Sequence, residues 1–475
     1  MQRLMQGTLV ISLFFCLLAL ADAGPSASLD SPTVGNWMSE RGGFTICFRV
    51  SQDEDGCPIA YADIPDQEAW NLPADLTVSN PASVRFDIYN IRCAYEGTIS
   101  KDGARIDGTF RGPDGGSMPL LLERVDTPPI RTSRRPQEPK RPYPYREEEV
   151  VFENRAEKVR LAGTLTLPKE HGPHPAALLV SGSGPNDRDQ LIWGHRVFLV
   201  LADYLTRQGI VVLRYDDRGV GRSTGNYDNA MFDDFKRDAL AGLEYLKARP
   251  EVDIERIGLI GHSEGGAIAT LVASSAADVA YLVLMAAPGR NDLEGLLKQF
   301  ADGYRTRGAS EKAIAVKCSI LRRIFHAVRG EDDLGAAESR VRRVLRQAKP
   351  ELAKLSEDQR RKIELESVDT YKVDWVLSPS FRSILRYDPR EALVKVRCRV
   401  LAMNGAKDVQ MPVENLQAIG AALEAGGNHA YTLSELAGLN HLFQTATTGS
   451  PAEYSRIEET LSPVALEIVS AWILK

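Results

Sequence analysis

The tightest constraint on this chain lies between residues 257 and 275. An apolar run, Ile257–Ile260, leads directly into Gly261-His262-Ser263-Glu264-Gly265, and a stretch rich in Gly and Ala leaves it as far as Ser275. A buried strand can pass into a helix over so few residues only through a sharp, strained turn, which demands small side chains where the backbones crowd. Such a turn lifts the central serine hydroxyl above the end of the strand. The G-x-S-x-G spacing has chemical meaning only in this strand–turn–helix setting, so the rest of the chain must supply a sheet around it.

The flanking sequence does so. Val150–Phe152 and Leu161–Leu167 read as two antiparallel opening strands, and Ala176–Val180 as a continuous apolar strand buried on both faces. A helix over Phe198–Gln208, closed by Gly209, leads to a strand at Ile210–Leu213. An amphipathic helix over Phe232–Ala248 precedes the strand into Ser263, and Tyr281–Met285 is the next strand. Strand–helix alternation predicts an α/β architecture, a mostly parallel sheet with helices on both faces. From Leu293 to about Ser380 the alternation stops, and charged amphipathic helices replace it. The sheet resumes at Val400–Met403 and near Ala430–Leu433, and a last helix covers Pro463–Leu474.

Three segments precede this unit. Residues 1–23 read as a signal peptide, with Arg3 as the charged start, Leu9–Leu20 as the apolar run, and Ala19-Leu20-Ala21 or Ala21-Asp22-Ala23 as the cleavage site. Secretion or a periplasmic location follows, with no integral membrane segment after cleavage. Residues 31–125 alternate apolar and polar side chains, as at Phe44, Ile46, Phe48 and Val50, which predicts a small all-β barrel or sandwich. Asp102-Gly103 marks one hairpin turn, so Ile99–Phe110 reads as a hairpin. Residues 126–146 form a linker dense in Pro, Arg and Lys. Such a composition cannot bury enough surface to fold alone. An oxidising compartment permits a disulfide among Cys47, Cys57 and Cys93, and the odd count after cleavage leaves a thiol over. A net charge of −6 argues against nucleic acid as a partner.

A serine hydroxyl needs a base and an acid to orient it. After an elbow of this kind the acid follows the serine, and the histidine comes last. Of the seven histidines only His429 and His441 lie late enough. His429 stands before the final strand, whereas His441 follows it, at the carboxyl end where such sites form. His441 is therefore the expected base. Asp408, in the loop after Val400–Met403, is the expected acid, with Glu414 as alternative. The oxyanion hole requires two backbone N–H groups. One is assigned to Glu264 and the other to Ser183 in Ser181-Gly182-Ser183-Gly184-Pro185, with Gly184 as alternative. Neither a cofactor nor a metal is implied by these residues.

Together, SGSGP–NDRD, Tyr215-Asp216-Asp217-Arg218-Gly219, GHSEGG, NGAKD and LNHLF make residues 147–290 and 391–475 resemble the α/β-hydrolase superfamily, in particular bacterial carboxylesterases with a GHSEGG elbow. Ser181 stands where those enzymes usually carry His. The resemblance implies that residues 292–390 form a cap over the site, that the front domain is similar to β-barrels preceding secreted esterases, and that Asp216–Gly219 braces a loop. The expected activity is hydrolysis of small-molecule carboxylic esters with short to medium acyl groups. A serine peptidase or amidase of the same fold is the alternative, and a binding protein with an inert hydrolase fold a third. Nothing in the sequence sets the oligomeric state.

Overall fold

In the computed structural model, the described residues are 32–475, apart from 42–43, 53–55, 57, 68, 81, 113–115, 130–133, 307 and 370. The signal-peptide reading, Cys16 and Cys57 fall outside them. Residues 35–125 form a closed eight-stranded antiparallel barrel: β1 Gly35–Arg41, β2 Phe44–Gln52, β3 Pro58–Ile64, β4 Ala69–Asn80, β5 Ser83–Ile88, β6 Cys93–Ile99, β7 Arg105–Arg111 and β8 Ser117–Val125. Pairing of Asn36 with Val125 closes it, so no strand edge is left unpaired. The alternating residues fill its interior, where Phe48 stacks on Phe86 with centroids 4.2 Å apart. Cys47 is buried here as a free thiol, and burial pushes it up to about 12. The Cys93 thiol points to the Ile91 carbonyl at 3.3 Å.

The second unit is built on β9 Arg146–Asn154, β10 Val159–Leu167, β11 His174–Val180, the short hairpin β12 Leu191–Ile192 and β13 His195–Arg196, then β14 Val211–Tyr215, β15 Val252–His262, β16 Tyr281–Met285, β17 Arg399–Gly405 and β18 Tyr431–Leu436. The hairpin stands apart. The other eight strands form one sheet in the order β18-β17-β16-β15-β11-β14-β10-β9. β9 and β10 are antiparallel, as are β10 and β14, and every remaining pair is parallel. Helices α1 Val197–Arg207 and α12 Pro463–Leu474 cover one face; α2 Phe232–Lys247, α3 Glu264–Ala273 and α11 Glu414–Ala425 cover the other. Asp233 and Asp234 in the first turn of α2 and Lys247 in its last complement the helix dipole.

Between β16 and β17 the chain leaves the sheet. Helices α4 Leu293–Thr306, α5 Glu311–Arg329, α6 Leu334–Leu352, α7 Glu357–Lys362, α8 Asp374–Leu377, α9 Pro379–Arg386 and α10 Pro389–Leu393 follow. Most of this insertion closes around its own apolar core, where Phe325 and Trp375 meet each other and each meets both Phe300 and Phe381. No helix among the described residues is long and apolar enough to cross a membrane.

The Pro- and Arg-rich segment has no strand or helix between residues 134 and 145, yet it is held to the body. The Arg135 guanidinium donates to the carbonyls of Trp193, Gly194, Ser455 and Ile457 at 2.9–3.3 Å. Gln137 donates to the Leu461 carbonyl at 2.6 Å and accepts from the Thr460 and Leu461 amides. The segment acts as a strap, with its polar groups satisfied by the partner it lies on. The barrel itself meets the body through Arg222–Asp75 and Arg92–Asp228 ion pairs, and through Arg196, which donates to the Asn71 carbonyl.

Candidate active site

Ser263 sits between the end of β15 and the start of α3 with φ 54° and ψ −123°. This strained conformation is sparsely populated for a residue with a side chain, and costs about 1–3 kcal/mol. The surroundings enforce it. A Cβ on Gly265 would stand 2.1 Å from the Val180 carbonyl oxygen, and one on Gly261 would stand 2.3 Å from that of Gly265. The Ser263 amide donates to Met285 O at 2.8 Å, tying the turn to β16.

His441 and Asp408 lie in contact. His441 Nδ1 lies 2.8 Å from Asp408 Oδ2, and both residues are buried. The other oxygen, Oδ1, accepts from the amides of Gln410 and Met411 at 2.9 and 2.8 Å. With its oxygens so engaged the carboxylate is fixed in orientation, and Nε2 of His441 is left for other partners. Glu414 instead opens α11, and His429 lies before β18. One half of the sheet carries the three groups: Ser263 follows β15, Asp408 follows β17 and His441 follows β18, with β16 between the first two strands. A strained serine elbow on an eight-stranded sheet, with a carboxylate and a histidine on the loops after later strands, decides the architecture.

The body has the α/β-hydrolase fold.

Sequence reasoning missed the residues that join the loops of this hydrolase fold. His262 Nε2 donates to the His441 carbonyl at 3.0 Å, so its Nδ1 must accept, and Gln190 Nε2 supplies that proton at 2.7 Å. Burial, followed by the charge of His441, lowers His262 to about 3 and keeps it neutral. Gln190 Oε1 in turn accepts from the Gly182 amide at 3.3 Å. The histidine loop is pinned from behind: Asn440 Nδ2 donates to Gln444 Oε1, and Gln444 Nε2 lies 2.9 Å from His195 Nε2. His195 Nδ1 meets the Thr460 hydroxyl, beside the residues that Gln137 holds. The signal for these roles was the proximity of His262 to Ser263 and of Asn440 to His441, but their partners are distant in sequence.

The two oxyanion candidates line one cavity with Ser263. That cavity, about 170 Å³, lies between the body and the cap and has Ser183, Ser263 and Glu264 in its wall. Gly184 is engaged elsewhere, because its amide donates to the Tyr227 hydroxyl at 2.9 Å. The Ser183 amide meets no protein acceptor among the described residues. Glu264 is the first residue of α3, where helical amides have no intrahelical partner. Its carboxyl is pushed up to about 7 by burial alone. The Ser181 hydroxyl donates to Asp217 Oδ1 at 2.8 Å, and burial pushes Asp217 up to about 8. Asp216 accepts from the Arg188 guanidinium and from the Arg222 amide, so Asp216 and Asp217 hold the two loops around the cavity. Among the described residues no group of three or more His, Cys, Asp or Glu side chains is placed to hold a metal.

Comparison with known proteins finds matches to parts of this chain. The family model for serine aminopeptidase, S33, matches residues 194–314, which include the elbow. Esterase EstD of Thermotoga maritima is 37% identical over 139 residues, 29% of this chain. The match spans 32% of EstD, so the chain covers about a third of that relative's length. Among solved structures, the Pyrococcus furiosus esterase Pf2001 is similar at 17% identity and a TM-score of 0.38, covering 64% of this chain and 88% of its own. The hypothetical protein PA2218 of Pseudomonas aeruginosa is similar at 16% identity and a TM-score of 0.42, covering 70% and 93%.

Proposed function

We propose that this chain is a serine carboxylic ester hydrolase with Ser263 as nucleophile, His441 as base and Asp408 as the acid that orients it. The observation that carries the reading is the buried 2.8 Å contact of His441 with Asp408, next to a serine held at positive φ on the adjoining elbow. His441 Nδ1 is taken by Asp408, so the imidazole is in the tautomer whose Nε2 accepts the Ser263 proton. The alkoxide attacks the ester carbonyl, and the oxyanion is met by the amides of Glu264 and Ser183. His441 then gives its proton to the departing alcohol. Water, deprotonated by the same imidazole, releases the acid from the acyl-serine. A cavity of about 170 Å³ favours short to medium acyl groups.

The test compares p-nitrophenyl acetate and butyrate hydrolysis by the parent chain and by Ser263→Ala, alongside labelling with a fluorophosphonate. Turnover and labelling by the parent, both lost in Ser263→Ala, are expected. Absence of both from the parent would overturn the reading. The match to the serine aminopeptidase model favours one alternative, cleavage of amides by the same residues; faster turnover of aminoacyl anilides than of esters would select it. Export rests on the apolar Leu9–Leu20 run. An extracellular or periplasmic product starting at Asp22 or Gly24 is expected from N-terminal sequencing.

A further inference from the structure

The cavity at Ser263 ends at two aromatic rings. Phe232 is the first residue of α2 and only 7% exposed. Tyr387 directly follows α9. The rings meet edge to face with centroids 5.0 Å apart. The Tyr387 hydroxyl donates to the Ala267 carbonyl of α3 at 3.3 Å, one turn beyond the elbow, which anchors the pair to the catalytic helix. Both rings line the Ser263 cavity, and both also line a second hollow of about 520 Å³ between body and cap. They are therefore the partition between the two spaces.

The second hollow is larger than the first, and much of its wall is apolar. Met231, Leu271, Leu334 and Leu377 contribute to it, with Met231 49% and Leu334 55% exposed. The guanidiniums at its rim are engaged within the protein. Arg382 donates to the Glu331 and Asp332 carbonyls, and Arg386 pairs with Asp332. Its inner surface thus offers apolar contact to an aliphatic chain.

We propose that Phe232 and Tyr387 set the acyl-length limit of this site, and that the hollow behind them is an aliphatic tail subsite closed off by their rings. The inference rests on the ester-hydrolase reading above. An acyl chain that reaches the partition must stop or displace a ring packed on its neighbour. Truncating either ring joins the two spaces and gives a longer chain apolar surface to bury.

The test is a kcat/KM series on p-nitrophenyl butyrate, octanoate and dodecanoate. The parent is expected to fall steeply toward dodecanoate. Phe232→Ala should raise the dodecanoate-to-butyrate ratio at least tenfold, and Tyr387→Ala should move it in the same direction. Adding Ser383→Trp, in the wall of the hollow one turn before Tyr387, to Phe232→Ala should reverse the gain. A parent that turns over dodecanoate as well as butyrate overturns the proposal. So does an unchanged ratio in variants whose Ser263 still takes the fluorophosphonate, or a gain that survives Ser383→Trp. Failure of the ester reading itself looks different: the parent would then hydrolyse no ester of any length.

Discussion

His262 and Glu264 flank Ser263, and burial moves their protonation in ways that oppose each other in stability. Folded Glu264 holds its proton to about 7, against an ordinary 4.5 in the unfolded chain. Between those values the folded chain keeps a proton that the unfolded chain has released, so stability falls as pH rises through the window. Folded His262 titrates at about 3 against an ordinary 6.5. Between those values only the unfolded chain binds the proton, so this group's contribution is lost as pH falls from about 6.5 toward 3. Glu264→Gln removes the first slope and leaves the second. Its Tm is expected to gain on the parent by a few degrees between about pH 5 and pH 8, measured by calorimetry; a gap that stays the same would reject the burial argument. For Asp408→Asn the expectation concerns rate. The imidazole loses the partner that selects its tautomer, and kcat should drop by roughly three to four orders of magnitude with the fold intact by circular dichroism.

At the scale of elements, much of the site was legible because chemistry and topology agree locally. The apolar run into Gly261–Gly265 could be read as strand, turn and helix, and the position of His441 after the last strand separated it from His429 before it. The closed barrel was legible as alternation, though not as closure, since pairing of β1 with β8 is a contact across almost ninety residues. The bonds among loops had no local signature. Gln190 looks like one polar loop residue among many, yet it joins the Gly182 amide to His262. Tyr227 is similar: its hydroxyl takes the Gly184 amide, leaving Ser183 to face the cavity. Tyr227→Phe should therefore lower kcat with little change in KM, because the loop that carries Ser183, the proposed second oxyanion donor, loses an anchor. Steady-state kinetics on the butyrate ester checks this, and an effect confined to KM would count against it. The α3 glycines make a harder demand. Gly265→Ala drives a methyl into the backbone of β11, and a large loss of soluble folded protein is expected on gel filtration.

Across the whole molecule, the strap is fastened to the hydrolase fold through Arg135 and Gln137, while Arg222, Arg92 and Arg196 link that fold to the barrel. Arg135 fastens the β12–β13 turn to residues 455–457, and Gln137 fastens residues 460–461, which touch His195 beneath the histidine loop. Arg135→Ala removes this donor from four carbonyls, of which the bond to Gly194 is buried and the other three partly so. A fall in Tm is expected by calorimetry, and no rescue by Arg135→Lys, since an ammonium cannot span four carbonyls. These bonds also impose an order in time. A ribosome emits Arg135 some 320 residues before Ser455, at a pace of about 5–20 residues per second. The barrel can close early, but the strap must wait for its partners, and so must the loop bearing His441. A nascent chain thus carries Ser263 for many seconds before it carries Asp408 and His441, the partners proposed for that serine.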